Sequence, residues 1–432
     1  MSLESRLLDI LSPWCNAPAW RVAFSGGLDS TVLLHLLARL NRQHALPPLT
    51  AIHIHHGLQP VADAWPEHCQ AFCAQLRVPL QVVRVEVPPG ASIEQAARRA
   101  RYGALATGLG EGEVVVTAQH RDDQAETLLF RLLRGAGVRG LAAMPTSRAL
   151  GRGQLVRPLL SVSRAELEHY AREHELSWVE DPSNRDTAYA RNFLRHDVWP
   201  VLTQQWPQAA QSLARSAMHM AEAQQLLGEL AMQDLAPAST PAPFAWLALP
   251  SLSLAPLLQL SDARQRNALR HWLAPLTRLP DTDHWAGWRS LREAADDAMP
   301  LWRLADGELR RAEGRLWWLS GDWLTEPVAL PPFAGTTPVV LPGNGAVHWS
   351  GELPGGALRL AYRRGGERIH LSGRGRRDLK RLLNESNIPA FVRNRLPLLY
   401  QGEELLAVGN LPQWRPEAAG TGELIWHAPD WR

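Results

Sequence analysis

Two rhythms of apolar and polar positions alternate through the first half of the chain. Short apolar runs have the length and β-branched content of strands: "WRVAF" (20–24), "LTAIHIHH" (49–56), "LQVVRVEV" (80–87) and "EVVVTA" (113–118). Between and after them, apolar residues recur at helical spacing in "STVLLHLLARL" (30–40), "DAWPEHCQAFCAQL" (63–76), "SIEQAARRARYGALATGL" (92–109) and "DDQAETLLFRLLRGAG" (122–137). The third of these opens with Ser92 and carries Gln95 three residues on, a capping box. Regular alternation of strand and helix predicts an α/β fold, a doubly wound parallel sheet with helices on both faces. In such sheets ligands sit beyond the carboxyl ends of the strands. Residues 25–30, 53–57 and 119–127 fall there.

From about Trp206 the rhythm changes. "WPQAAQSLARSAMHMAEAQQLLGELAMQDLA" is one long helical pattern, followed by the Pro-rich "PASTPAPF" (237–244). Residues 245–325 read as helices closed by the strand-like "RLWWLS" (315–320), and "EPVALPPFAGTTP" (326–338) reads as a linker. The last hundred residues or so are short strands and turns around a basic segment. Three units follow: a sheet domain over 1–215, a helical middle domain over 216–330 and a small mixed α/β domain over 331–432.

Composition narrows the class. Hydrophobic residues make up 45% of 432, enough for real cores. No apolar run reaches the ~18 residues of a membrane span, so no membrane partner is expected. The opening "MSLESRLLDILSPW" has no basic n-region and apolar core of a signal peptide. Cys15, Cys69 and Cys73 form no CxxC, and Cys69 and Cys73 at helical spacing read as buried small apolar residues. The chain reads as cytoplasmic. Net charge is +2, and Lys380 is the one lysine. Basic contacts to phosphate elsewhere must therefore come from arginine forks.

The chemistry begins at "SGGLDS", Ser25, Gly26, Gly27, Leu28, Asp29 and Ser30, set between a strand and a helix. Gly26 and Gly27 permit positive φ and close backbone approach. Their N–H groups and the helix N-terminus can surround phosphate oxygens, with Ser25 and Ser30 as further donors. The phosphate loop of kinases and GTPases, GxxxxGK[ST], places a lysine on the β and γ phosphates. Here that lysine is missing and Asp29 stands in the loop. A carboxylate beside ATP implies an intervening Mg²⁺ or a direct role at the reacting phosphate.

This loop resembles that of the PP-loop, or N-type ATP pyrophosphatase, superfamily, whose Rossmann-like domain cleaves ATP between the α and β phosphates and leaves an adenylated intermediate. Further segments resemble the tRNA(Ile)-lysidine synthetase family: "AIHIHHGL" (51–58), "AQHRDDQAETLLFRLLRGAGVRGLAAM" (118–144), "RPLL" (157–160), "EDPSN...RNFLRHDVWP" (180–200), "GGERIHLSGRGRRDLKRLLNESNIP" (365–389) and the following "RLPLLY". The likeness covers most of the chain; residues 216–330 match in character only. It implies ATP-dependent joining of free lysine to C2 of the wobble cytidine in the CAU anticodon of tRNA(Ile). Adenylation at O2 comes first; lysine then displaces AMP, and the codon read changes from AUG to AUA. A monomer or a homodimer is compatible with it.

The residues suit that chemistry. A lysine amine with pKa of about 10.4 is neutral in only roughly one molecule in 2,500 at pH 7, so attack needs a base or a desolvating site. Asp122 and Asp123 are adjacent acids at a helix N-terminus; one can bind Mg²⁺ or the lysine ammonium and the other take a proton. Helix-dipole complementarity explains such acids equally well in isolation. His120 and Glu126 are secondary candidates. Arg191 and Arg195 lie four apart, suited either to phosphate or to ion pairs with Glu180, Asp181 or Asp186. The resemblance favours Arg195 as the group that stabilises leaving-group charge. Asn192 orders the turn. Alternation puts His53 and His55 on one face and His56 on the other, which disfavours a shared metal and suits pocket-lining. "RGAGVRGL" (134–141) reads either as a nucleotide approach or as a helix cap and turn.

At the other end, "YRRGGERIHLSGRGRRDLKR" (362–381) carries eight basic residues against two acids, a source of salt-sensitive phosphate affinity. With the matching family segment, Arg376, Arg377, Lys380 and Arg381 are the candidate tRNA contacts, lining one side of a helix or its start. Trp317 and Trp318 read as core. Three other classes compete. A PP-loop tRNA thiolase would want a suitable cysteine pair. A non-catalytic tRNA-binding protein would not need both "SGGLDS" and "DDQAET" intact. A carboxylate-adenylating amidotransferase would bring a glutamine-hydrolysing domain, which is not expected before residue 20.

Overall fold

The computed structural model describes residues 2–57, 59–88, 93–280, 283–295, 298–328, 330–371, 375–414, 416 and 421–431. Ser92, the expected helix cap, and Arg374 of the basic segment lie outside the described residues. Two compact units divide the chain, Met1–Gln225 and Leu226–Arg432.

The first unit opens with α1 (Leu3–Leu11), β1 (Trp20–Ala23), α2 (Leu28–Gln43), β2 (Leu49–His55), α3 (Trp65–Leu76) and β3 (Leu80–Arg84). It continues through α4 (Ile93–Thr107), β4 (Val114–Val116), α5 (Arg121–Leu132), α6 (Val138–Leu141), β5 (Ser147–Leu150) and β6 (Gly153–Val156). Then come α7 (Arg164–Glu173), α8 (Ala190–Phe193), α9 (Trp199–Gln205) and the start of the long α10 (Ala209–Leu235), which continues past Gln225. The sheet order is β3-β2-β1-β4-β6-β5; all neighbours are parallel except the β5–β6 hairpin. That hairpin is absent from the strand pattern read above, because its exposed Arg148 and Ala149 break any apolar run.

The chain winds outward from β1 to β3 and then crosses to β4 on the other side of β1. This switch point leaves a crevice between the loops that follow β1 and β4. Val114, Val115 and Val116 are all buried, as a central strand covered on both faces requires. One face packs Val22, Phe24, Leu33, Leu37 and Cys73 with α1, α2, α3 and α7; the other packs Ile52, Val115 and Leu155 with Leu105 and Leu109 of α4. Each such side chain contributes about 1.5–3 kcal/mol on burial. The core therefore anchors both loops of the crevice.

The second unit carries the expected helices, including Asp262–Leu273 and Ala286–Glu293. It adds an antiparallel sheet of β7 (Ser251–Ser253), β8 (Leu301–Leu304), β9 (Gly307–Ala312) and β10 (Arg315–Leu319), in the order β7-β10-β9-β8. Only β10 shows in the sequence pattern. β8 and β9 hold exposed or half-buried arginines and take their stability from pairing, with Leu309 opposite Trp318. Trp317 and Trp318 are fully buried, as core residues. Beyond lie β11 (Val339–Val340), β12 (Ala346–Ser350), β13 (Leu358–Ala361), β14 (Arg368–Leu371), β15 (Gly375–Asp378), β16 (Leu398–Gln401), β17 (Glu404–Val408) and β18 (Glu423–His427). They form a three-stranded sheet, β11-β12-β18, and a five-stranded one, β13-β16-β17-β14-β15.

Candidate active site

The loop after β1 is held from several sides. Gly26 has φ +85°, and a Cβ there would lie 3.1 Å from both Cys69 Sγ and Val179 Cγ2. Glycine is thus required for conformation and for space. Gly27 sits at φ −76° as the N-cap of α2, so positive φ belongs to Gly26 alone. The Val179 N–H donates to the Gly26 carbonyl at 2.9 Å. Ser25 and Ser30 hydroxyls lie 3.0 Å apart, and Ser30 Oγ donates to the Gly27 carbonyl at 3.0 Å. Leu28 and Asp29 form the first turn of α2, whose N–H groups face the crevice side where anions are favoured.

Across the crevice, His120 is the N-cap residue of α5, and its backbone N–H donates to Asp123 Oδ2 at 3.1 Å. Its ring is 1% exposed and is ringed by carboxylates: Asp29 Oδ2 at 3.6 Å, Asp122 Oδ2 at 3.6 Å and Asp123 Oδ2 at 3.5 Å. Burial alone would lower the His120 pKa; the Asp122, Asp29 and Asp123 carboxylates outweigh it and push it up to about 10. His120 is therefore an imidazolium at neutral pH. Asp29 Oδ1 is buried and has no hydrogen-bond partner.

Asp122 and Asp123 separate in role. Asp122 accepts the Arg164 N–H at 2.9 Å. Asp123 accepts from the His120 N–H at 3.1 Å, Arg191 Nη2 at 3.1 Å and Arg195 Nη2 at 3.2 Å. Burial raises both pKa values, but the net direction for each is down, led by the His120 hydrogen bond for Asp122 and the His120 charge for Asp123. A carboxylate held so firmly in its charged form is a weak proton acceptor.

Arg191 and Arg195 converge on the same acids. Glu126, nearly buried, accepts from Arg191 Nε at 3.1 Å, Arg195 Nε at 2.7 Å and Arg195 Nη2 at 2.8 Å. The ion pairs with Glu180, Asp181 or Asp186, held open as the alternative to phosphate, are not the ones formed: Asp181 accepts from the Ser183 N–H, and Glu180 lies by Arg185. The two arginines lie four residues apart and so share one face; Arg195 sits in a π-turn over Leu194–Val198 right after α8, and such turns gather at functional sites. Asn192 Nδ2 ties the turn to the Ser183 and Asp186 carbonyls at 2.8 and 2.9 Å.

Other motifs resolve as follows. His53 and His55 are buried; His53 Nδ1 lies 2.9 Å from the Phe24 carbonyl, and His55 Nε2 lies 3.1 Å from Asp63 Oδ1. Gly135 takes φ +71° just past α5, and Gly137 caps α6, so "RGAGVRGL" is a cap and turn. Cys69 and Cys73 are fully buried, and burial pushes their thiols up to about 12 and about 11. Neither is a nucleophile at neutral pH. Arg164, 3.9 Å from Asp29 through Nη1, escaped the sequence reading; the capping box Ser163…Glu166 marks the helix start that positions it.

In the second unit, Arg376 and Arg377 lie on β15, an edge strand, and Lys380 and Arg381 in the first turn of the helix Leu379–Glu385. All four are exposed. Arg376 and Arg377 thus lie at the start of that helix, one of the two placements expected, and as consecutive strand residues they point to opposite faces. Arg381 Nε donates to Glu385 at 2.7 Å.

A loop without the kinase lysine, at the switch point of a parallel sheet and facing acids and arginines from α5 and α8, defines a PP-loop ATP-using enzyme; the PP-loop domain profile matches residues 1–202. Profiles of the TilS substrate binding domain and the TilS substrate C-terminal domain match residues 252–317 and 358–426. Annotated relatives agree over the full length. The tRNA(Ile)-lysidine synthase of Pseudomonas fluorescens is 62% identical, covering 100% of this chain and 98% of the relative. That of Pseudomonas aeruginosa is 60% identical, with 99% and 97% covered, and that of Alkalilimnicola ehrlichii 45%, also with 99% and 97%. The chain belongs to the tRNA(Ile)-lysidine synthase family, a family of ATP-dependent ligases. Among solved structures, the U34-tRNA thiolase NcsA of Methanococcus maripaludis shows a TM-score of 0.42 at 17% identity, over 51% of this chain and 78% of that one.

Proposed function

We propose that the chain joins free lysine to C2 of the wobble cytidine in tRNA(Ile) bearing CAU, using ATP. The observation that carries this reading is the facing pair of loops: "SGGLDS" with an unpartnered buried Asp29 oxygen, opposite an acid–arginine cluster on α5, α8 and the π-turn after α8. The β and γ phosphates rest on the N–H groups of residues 26–30. Among the described residues no three His, Cys, Asp or Glu side chains are placed to hold a metal alone. Mg²⁺ needs no such cage, since one or two carboxylates with substrate phosphates suffice, and the free Asp29 oxygen fits it. When bound, Mg²⁺ supplies charge neutralisation at the phosphates.

Cytidine O2 attacks the α-phosphorus, the bond to the β-phosphate oxygen breaks, and pyrophosphate leaves. The lysine ammonium first gives up a proton to water; its neutral nitrogen then attacks C2, the C2–O2 bond breaks, AMP departs carrying O2, and the attached nitrogen sheds a further proton to water. Arg195, oriented by Glu126 and Asp123, stabilises the phosphate charge of the leaving AMP. Asp123 is already filled by two arginines, so Asp122, more exposed, is the carboxylate that draws in the lysine ammonium. Both acids have lowered pKa values and act through charge rather than as strong bases. Residues 1–215 perform this chemistry, while 216–330 and 331–432 hold the tRNA, the last through Arg376, Arg377, Lys380 and Arg381. These substrates place the reaction in the cytoplasm.

The test is transfer of radiolabelled lysine, with Mg-ATP, to isoleucine tRNA bearing CAU and, in parallel, to CAU methionine tRNA. Label is expected in the first alone. Label in neither tRNA overturns the proposal.

A further inference from the structure

A second concentration of charge lies apart from the acid–arginine cluster. Arg98, Arg99, Arg131, Arg148 and Arg157, with Tyr102, line an open cavity of about 350 Å³ in the first unit. That size is within the range of small-ligand sites. The five arginines come from α4, the last turn of α5, β5 and the residue after β6. Among the described residues no carboxylate lines the cavity, and none of the five arginines is paired with one. The contrast with Arg191 and Arg195 is direct, because those are neutralised on Asp123 and Glu126.

Neutral groups hold four of the five in place. Arg131 Nη1 donates to the Gly140 and Ala143 carbonyls at 2.8 and 2.9 Å, and Arg157 Nη1 to the Pro145 carbonyl at 2.7 Å. The Arg98 and Arg148 guanidiniums stand 4.9 and 5.0 Å from the Tyr102 ring centroid. Stacking on an aromatic ring fixes a guanidinium while leaving its donors free. Arg157 is 3% exposed, and its Nε is buried without a hydrogen-bond partner. A buried donor left unmade is destabilising, so an acceptor is wanted at this spot. Burial, and then the Arg98 charge, depress the pKa of Arg131; burial leads the same shift at Arg157, where Tyr102 offsets part of it and Arg148 and Arg98 add to it. An anion in the cavity relieves both strains.

We propose that this cavity is a phosphate subsite that grips a backbone phosphate of the tRNA substrate. The inference rests on the tRNA reading above and adds where the nucleic acid is held. β6 runs parallel to β4, so Arg157 emerges at the same sheet edge as the loop leading to His120. Phosphate contacts of this kind set register and orientation while base contacts specify. Planar arginine forks suit phosphate oxygens in pairs. Free phosphate and the pyrophosphate product share the chemistry and are the alternative sources.

The full-length protein and its R98A/R148A variant decide the matter. Both arginines are exposed, so their removal leaves the core untouched. Affinity for isoleucine tRNA bearing CAU is measured across a salt series, alongside binding of a non-hydrolysable ATP analogue, inorganic phosphate and pyrophosphate. The variant is expected to bind tRNA about tenfold more weakly and to lose about 1 to 2 from the slope of log affinity against log salt, with ATP-analogue binding unchanged. R98K/R148K, which keeps charge but not the fork, is expected to recover the slope. An unchanged slope and affinity overturn the subsite. Loss of phosphate or pyrophosphate binding with tRNA affinity intact overturns the backbone assignment in favour of a free anion. Lysine transfer by the unaltered protein separates the two failures: transfer with an unchanged slope removes the subsite alone, whereas no transfer removes the tRNA reading itself.

Discussion

Glu126 is the hinge of the proposed chemistry, although it touches no substrate in the scheme. Its carboxylate is nearly buried and receives three hydrogen bonds from Arg191 and Arg195. Glu126→Gln keeps the shape but removes the charge and replaces one acceptor oxygen with a donor. Removing one partner of a buried ion pair costs about 3–5 kcal/mol. Two facts reduce that figure here. The arginine side chains are 35% and 28% exposed, and Asp123 still binds both through Nη2. A cost of about 2 kcal/mol in positioning Arg195 follows, which is roughly thirtyfold in rate.

The loss should fall on kcat for lysine transfer and leave the KM for ATP within a fewfold, because the phosphate loop is untouched. A double-mutant cycle with Arg195→Ala sharpens the point. If Glu126 acts by holding Arg195, the second substitution adds little to the first, and the cycle yields a coupling of about 1–2 kcal/mol. Fully additive effects on kcat, with Asp123 intact, would refute the reasoning and make Glu126 an independent structural acid.

Other expectations follow from the same geometry. Asp29→Ala should abolish pyrophosphate release; release at the normal rate would remove Asp29 from the phosphates. His120 carries a raised pKa of about 10, so its contribution to stability is full below about 6.5 and is lost as pH rises toward 10. Urea unfolding of the chain should accordingly show a decline between pH 7 and pH 10 that His120→Asn abolishes, and an imidazole titrating near 6.5 by NMR would contradict the charge assignment. Replacing Arg376, Arg377, Lys380 and Arg381 together with alanine should weaken tRNA binding and spare ATP affinity; unchanged tRNA affinity would make the edge strand and its helix a solvated charged surface.

What could be read from the sequence and what could not divide along one physical line. "SGGLDS" is legible because its demand falls on residue type: Gly26 takes φ +85°, and a Cβ there would lie 3.1 Å from Cys69 and Val179, so glycine is needed whatever surrounds it in sequence. The β-α alternation is legible for the same reason, since burial on both faces forces continuous apolar runs such as Val114–Val116. Charge pairing is not local. Asp123 and Glu126 meet arginines 65 to 72 residues away, and no local pattern announces which acids those arginines reach. The five cavity arginines are harder still. In a chain with 45 basic residues and one lysine, Arg98 or Arg157 looks like any other position until the fold shows which arginines were left without an acid. Unpaired charge is a property of a neighbourhood, so the sites most dependent on electrostatics are those a linear pattern conveys least.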